Sequence, residues 1–262
     1  MTAAIISDSR PRLDLGTVIK GVAEEFARHW LWLLAVGLIL SFIPQLVTEL
    51  VLRQVTKVGP LPTSAIMRLG AENWIRILIN IVPAAILLSL VVQRVVAESD
   101  GARLGPLAGL GRAPMAILTR IMMLVAIVIA YMLLIVPGIL LSLAWAVAIP
   151  VVVAEGVGPL EGFSRSTDLT RNNRWQLLWL GLIYSLGSIL VGLIIGFGLG
   201  LAIGVLQPVL PPVVIAWSSS AAIAAVSALA ATLECVGIAV IYRELAAMKR
   251  GAGARSVAKV FE

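Results

Sequence analysis

The chain has 262 residues, 60% hydrophobic and only 13% charged, and its 20 Lys and Arg outnumber its 14 Asp and Glu to leave a net +6. Soluble domains carry about 25% charged residues, so at a mean hydropathy of +1.03 the apolar surplus excludes a water-soluble globular domain and makes lipid the solvent. The basic excess flanks apolar segments, which reads as membrane orientation and anionic headgroups rather than nucleic acid. The single cysteine, Cys235, excludes an intrachain disulfide or a cysteine-based zinc site.

Residues 1–29 are mixed and polar and are assigned to an N-terminal cytoplasmic segment. Within it Leu15, Val18, Ile19, Val22 and Phe26 make an apolar stripe, with Lys20, Glu24 and Glu25 elsewhere. That pattern predicts an amphipathic helix lying in the headgroup plane. The first apolar stretch, Trp30–Leu52, is too long for the apolar region of a signal peptide and is expected to serve as an uncleaved insertion signal. A bilayer core of ~30 Å needs about 20 apolar residues in helix. Trp74–Val96, Ala116–Val136, Ile139–Ala154, Gln176–Val205 and Val213–Tyr242 follow as further spans. Between Ile121 and Val153 no charge interrupts the chain, roughly 50 Å of helix and too long for one crossing. Pro137-Gly138 near its middle predicts a tight turn.

An octet recurs with an offset of 53 residues: Gly-Pro-Leu-Ala-Gly-Leu-Gly-Arg over 105–112 and Gly-Pro-Leu-Glu-Gly-Phe-Ser-Arg over 158–165. A weaker echo runs from Gly16 to Gly21. Each copy precedes an apolar stretch, which suggests one unit used three times, near 15–96, 104–154 and 157–242. With both termini cytoplasmic, 16 of the 20 basic residues fall on the inner side, as the positive-inside rule requires. The expected fold is therefore all-α and polytopic: six transmembrane helices as three hairpins, each preceded by a short cytoplasmic amphipathic helix. The membrane domain is placed at 30–242, with a basic cytoplasmic tail over 243–262.

Three groups of residues are candidates for function. In the stretch Glu155–Trp175, Glu161 and Arg165 are spaced i,i+4 and Arg165 and Asp168 i,i+3, so both pairs can form on a helix. Glu155, Arg165, Asp168, Arg171 and Arg174 are the candidate contacts to headgroups or to a partner; the simpler reading is a surface linker that fixes span entry. Gly192, Gly196, Gly200 and Gly204 form a ladder in the fifth span opposite a Ser- and Ala-rich sixth span. Small residues let helices approach closely in lipid, so the ladder predicts packing of these two helices, or homodimerisation. Glu234 is the one acidic residue deep in an apolar span, and a charged carboxylate there is costly unless protonated, paired or wet. Arg120, Arg94, Tyr184 and His29 are its candidate partners, and Glu234, Arg120 and Tyr184 its candidate interior site.

Residues 137–178 also carry a resemblance. Pro137-Gly138, Pro150, Glu155-Gly156, Gly158-Pro159, Arg165-Ser166, Leu169-Thr170-Arg171 and Trp175 resemble the pattern of the membrane-domain family fused to some glycerophosphoryl diester phosphodiesterases, with its stand-alone relatives in bacterial inner membranes. Gly162, Asn172 and Trp145 depart from it. The resemblance implies a helical membrane domain in the inner membrane and implies no activity, since a phosphodiesterase domain is not in the sequence. No serine–histidine constellation, His-Glu metal motif, phosphate-binding loop or Rossmann fingerprint occurs. No catalytic residue, metal or cofactor is expected. The expected function is non-catalytic: scaffolding, or lipid and envelope organisation, with anionic lipids, a protein partner or a second copy as partners. The alternative is a small transporter or lipid-handling protein with an interior site at Glu234.

Overall fold

A computed structural model of the chain describes residues 13–58, 65–99, 101, 105, 107–206, 208–209 and 211–258. Residues 1–12 of the N-terminal segment, Arg103, Pro106 of the first octet and residues 259–262 of the basic tail lie outside the described residues. Among the described residues there is no strand. Six stretches of helix are long and apolar enough to cross a membrane.

Helix α1 (Leu15–Gly37) starts where Asp14 caps it, its carboxylate accepting from the backbone N–H of Thr17 at 3.0 Å and of Gly16 at 3.4 Å. The apolar stripe of residues 15–26 does not form a separate helix. It runs on into the first span, and α1 departs from helical angles at His29 (φ −120°, ψ 20°). A π-helical turn over Leu38–Phe42 joins α1 to α2 (Ile43–Val58). Pro44 is the physical reason: it lacks an N–H and its ring crowds the carbonyl four residues back. The wider turn, closed by Ile43 N–H donating to Leu38 O, accommodates both. Helix α3 (Ala65–Ser99) carries the second span, with Pro83 inside it.

The third and fourth spans differ in detail from expectation. Helix α4 (Ala113–Leu133) ends at Leu134, which is extended (φ −163°, ψ 146°), and α5 (Ile135–Ala144) begins one residue later. The helix break thus precedes Pro137 by three residues. Proline is tolerated in the first turn of a helix, where its missing N–H has no partner in any case. Gly138 serves the packing: a Cβ there would lie 2.5 Å from the Tyr131 ring. The fourth span is itself broken, by a turn at residues 145–147, into α5 and the short α6 (Ala148–Glu155). A break inside an apolar stretch leaves helix-end carbonyls that need donors. Helix α7 (Pro159–Thr170) supplies them to Ala144 O: Ser166 Oγ donates to it at 2.8 Å, and the Thr170 hydroxyl, shared with Ser166 O at 2.9 Å, reaches it at 3.2 Å. Trp145 stacks on Phe163 beside them, ring centroids 4.2 Å apart.

The two octets adopt different backbones. The first forms a 3₁₀ turn over Ala108–Arg112, the second opens α7. Their shared fifth residue nevertheless has one role. A Cβ on Gly109 would lie 2.4 Å from the Ser89 carbonyl oxygen, and one on Gly162 2.3 Å from Val152 Cγ2.

Helices α8 (Arg174–Leu206) and α9 (Pro212–Ala258) complete the fold. α9 packs most extensively on α1 and α3. The core between α1, α3, α6 and α9 holds Val18, Leu87, Val91, Val151, Val153, Val236 and Val240. It lies toward the end of the bundle where α1 begins, α6 and α9 end, and α7 sits. Among the described residues helix α8 makes light contact with α5 and α9. Leu186, Ile189, Leu193, Ile194 and Phe197 are exposed along it. The expected packing of α8 on α9 through the glycine ladder within one chain is not found. No atom of the chain outside the helix comes within 4 Å of a Cβ built on Gly192, Gly196, Gly200 or Gly204. α8 meets α9 lower down instead, where Tyr184 donates to Ala230 O at 2.9 Å.

Candidate functional site

The C-terminal end of α6 is where the polar groups gather. Helix α6 stops at Gly156, whose left-handed φ of 72° no β-carbon favours. Its last carbonyls carry partial negative charge and need donors. Gln93 Nε2 donates to Val153 O at 2.7 Å, and Arg112 reaches the same oxygen at 3.4 Å. Arg112 lies so close over Gly156 that a Cβ would meet its guanidinium. From the other side Arg165 pairs with Glu155, and with Glu161 at 2.9 Å. The arginines that end the two octets therefore converge on one helix terminus. The carboxylates of Glu155 and then Glu161 push the Arg165 guanidinium above its ordinary value.

Beside this terminus a cavity of about 400 Å³ opens between α3, α6, α7 and α9. Val96, Ala154, Leu169 and Ala246 form its apolar wall, and Glu155, Tyr242, Arg243, Lys249 and Arg250 its polar side. The Tyr242 hydroxyl donates to Glu155 Oε1 at 3.2 Å while Arg165 takes Oε2. Arg243 pairs with the buried Glu25 and stands 3.7 Å from Glu244. Lys249 and Arg250 are exposed and have no carboxylate partner among the described residues. The cavity thus sets Lys249 and Arg250, which have no carboxylate partner among the described residues, beside an apolar wall.

Of the residues expected to contact headgroups, Glu155 and Arg165 are brought together. Asp168 does not pair with Arg165, which turns to Glu155 and Glu161, and Asp168 and Arg171 are exposed. Arg174 points its Nε inward, where it has no partner. Tyr242, Arg243, Lys249 and Arg250 were not singled out from the sequence. The signal available was their spacing on one helical face at the end of the last span.

Glu234 has a different setting from the one expected. It is exposed on α9, and among the described residues no hydrogen bond or ion pair joins it to Arg120 or Tyr184. Tyr184 spends its hydroxyl on Ala230 O. Arg94 and His29, the other two candidates, go to Glu98: Arg94 Nε stands 3.7 Å and His29 Nε2 2.7 Å from it. Another acidic residue, Glu49, lies 7% exposed in α2 and pairs with Arg76 of α3. Glu25, His29 and Glu98 come together as a group whose side chains can hold a metal ion.

A family model described as a domain of unknown function (DUF7847) matches residues 15–245. No curated protein and no solved structure matches the chain.

Proposed function

The chain belongs to the DUF7847 family, and we propose that it is a non-catalytic integral protein of the bacterial inner membrane that organises lipid by holding an anionic phospholipid headgroup in the α6–α9 cavity. The observation that carries this reading is the pairing of Lys249 and Arg250 with the apolar wall of Val96, Ala154, Leu169 and Ala246. An acyl chain and a phosphate ask for these two surfaces side by side. Basic residues near an anionic leaflet contribute about 1 kcal/mol each. Glu155 is already held by Tyr242 and Arg165, which leaves the basic side dominant. The positive-inside distribution supports placing this face in the cytoplasm. The likeness of residues 137–178 to phosphodiesterase membrane domains accords with the same location.

The test is lipid retention. Protein extracted gently from membranes of mixed phosphatidylglycerol and phosphatidylcholine should carry phosphatidylglycerol preferentially by native mass spectrometry. Lys249→Gln with Arg250→Gln removes about 2 kcal/mol, so retention should fall roughly 30-fold. Arg171→Gln, away from the cavity, should change little. Equal retention by the double variant would sink the reading. The alternative, a transport or lipid-handling site at Glu234, is less favoured because Glu234 stands on an exposed face and not in the cavity lining. Glu234→Gln separates the two readings, leaving headgroup retention intact in the first.

A further inference from the structure

We propose that Glu25, His29 and Glu98 form a binding site for one divalent first-row transition-metal ion, with Zn²⁺ the best fit, between α1 and α3. Glu25 and His29 are four residues apart on α1, so they share a helix face. Glu98 reaches them from α3. One ligand atom from each of the three lies within 4.8 Å of the other two. His29 Nε2 is already 2.7 and 2.8 Å from the two oxygens of Glu98. Zinc bonds to nitrogen and oxygen of about 2.0–2.2 Å place tetrahedral ligand atoms ~3.4 Å apart. The His29–Glu98 pair must therefore open by under ~1 Å, and Glu25 close by at most ~1.4 Å, to admit an ion. An all-oxygen set would suit Mg²⁺ or Ca²⁺; the imidazole turns the preference to zinc and its neighbours.

A second observation, independent of spacing, points to the same ligand. Glu25 is only 5% exposed, and its Oε2 is buried with no hydrogen-bond partner, while Arg243 engages Oε1. A buried carboxylate oxygen without a donor is costly, and a cation removes that cost. Arg94 Nε and Trp32 Nε1 are buried without hydrogen-bond partners as well, with Arg94 stacked 4.7 Å above the Trp32 ring. Three protein ligands leave a coordination position open, and an anion or hydroxide there would accept from such donors. Arg243 takes one oxygen of Glu25 and leaves the other open, and the two arginines beside Glu98 do not fill the site. Arg28 and Arg94 each stand 3.7 Å from Glu98, beyond hydrogen-bond length, and Arg28 is 62% exposed.

The experiment uses the full-length protein in detergent after removal of any affinity tag. Titration with Zn²⁺ alone, read by calorimetry and elemental analysis, should give one ion per chain. Added Co²⁺ should show the visible bands of a four-coordinate ion. His29→Gln and Glu98→Gln should each weaken binding by more than about 100-fold, beyond what loss of an outer-shell partner costs. Glu161→Gln, in an exposed pair on α7, should not. Gel filtration checks that each variant is folded. One readout needs no variant: His29 is the only histidine, so Zn²⁺ should slow its modification by diethylpyrocarbonate. No zinc bound by the native chain at micromolar concentration, or binding that leaves His29 unprotected, would overturn the proposal and leave the cluster an ion-pair hub. Lipid retention is a separate measurement, so the metal site and the headgroup site can fail independently.

Discussion

Replacing Gly109 with alanine should destabilise the protein far more than the same change at Gly111, two residues away in the same 3₁₀ turn. A Cβ at Gly109 would sit 2.4 Å from Ser89 O and 2.7 Å from both Ser89 C and Leu90 Cα, whereas at Gly111 nothing lies within 4 Å. The opposing atoms at Gly109 belong to the backbone of α3, so no side chain can swing away. Carbon–carbon contacts are optimal near 3.5–4.0 Å, and the turn must move off α3 by about 1 Å. Overpacking of this kind costs about 1–3 kcal/mol. The displacement also strains the bond from Ser89 Oγ to Gly109 O, 2.7 Å long and buried at both ends, whose loss costs about 1–3 kcal/mol. Alanine offsets under ~1 kcal/mol of this through reduced backbone freedom. The net expectation is about 2–4 kcal/mol for Gly109→Ala and none, or a small gain, for Gly111→Ala. For a chain of this size that is a melting-point difference of about 4–16 °C, measurable by tryptophan fluorescence in detergent with gel filtration as a check on the folded state. Equal melting of the two variants would refute the close approach of the 3₁₀ turn to α3.

Two further predictions concern helix ends. Ser166→Ala combined with Thr170→Val strips Ala144 O of both its donors and should cost about 1–3 kcal/mol in thermal unfolding. Each single change should cost less than half of that, because the other hydroxyl still reaches the same oxygen; additive single effects would argue that the two do not share it. At the start of α1, bonds from the Thr17 hydroxyl and then the Thr17 and Gly16 N–H groups hold the Asp14 carboxyl below its ordinary 3.8. A carboxyl lowered on folding stabilises fully above its unfolded value, and that stabilisation is lost as pH falls through the lower folded value. Amide exchange at Gly16 and Thr17 should therefore accelerate only below about pH 4. Asp14→Asn, which keeps an acceptor without a titration, should show no such step.

The six apolar stretches were legible because their signal is composition summed over some 20 residues, and summation averages away local error. The end of α4 was not, although Pro137-Gly138 drew the eye. Proline can sit in the first turn of a helix as well as end one, and here Pro137 occupies the first turn of α5, so the break falls at Leu134, a residue with no turn chemistry of its own. The division of the fourth span at residues 145–147 depends on hydroxyls more than 20 residues downstream that satisfy Ala144 O. No local pattern announces such a break. The intrachain half of the glycine-ladder expectation failed for a related reason: small residues permit close packing but do not create a partner in the same chain, and a Cβ on any of the four glycines would meet nothing within 4 Å. Glu25, His29 and Glu98 escaped because 69 residues separate His29 from Glu98, and spacing arguments reach only one turn of helix.

The octets show what a repeated sequence preserves. If Gly-Pro-Leu-x-Gly-x-x-Arg specified a backbone, both copies would be the same kind of helix, and they are not: one is a 3₁₀ turn and the other opens α7. What the copies share is contact. The glycine at the fifth place lets the chain press against a helix, α3 for Gly109 and α6 for Gly162. The arginine at the eighth place is then delivered to the C-terminal end of α6, Arg112 to the Val153 carbonyl and Arg165 to Glu155. That terminus would otherwise present unpaired carbonyls and a carboxylate at the lip of the cavity. With both arginines committed there, the cavity cations without a carboxylate partner among the described residues are Lys249 and Arg250 of α9. This explains why the basic residues nearest the repeated motif, which the sequence marks most strongly, are structural, while those at the unmarked end of the last helix face the cavity. Neutralising Arg112 or Arg165 should accordingly show first as lost stability, and neutralising Lys249 and Arg250 as lost lipid.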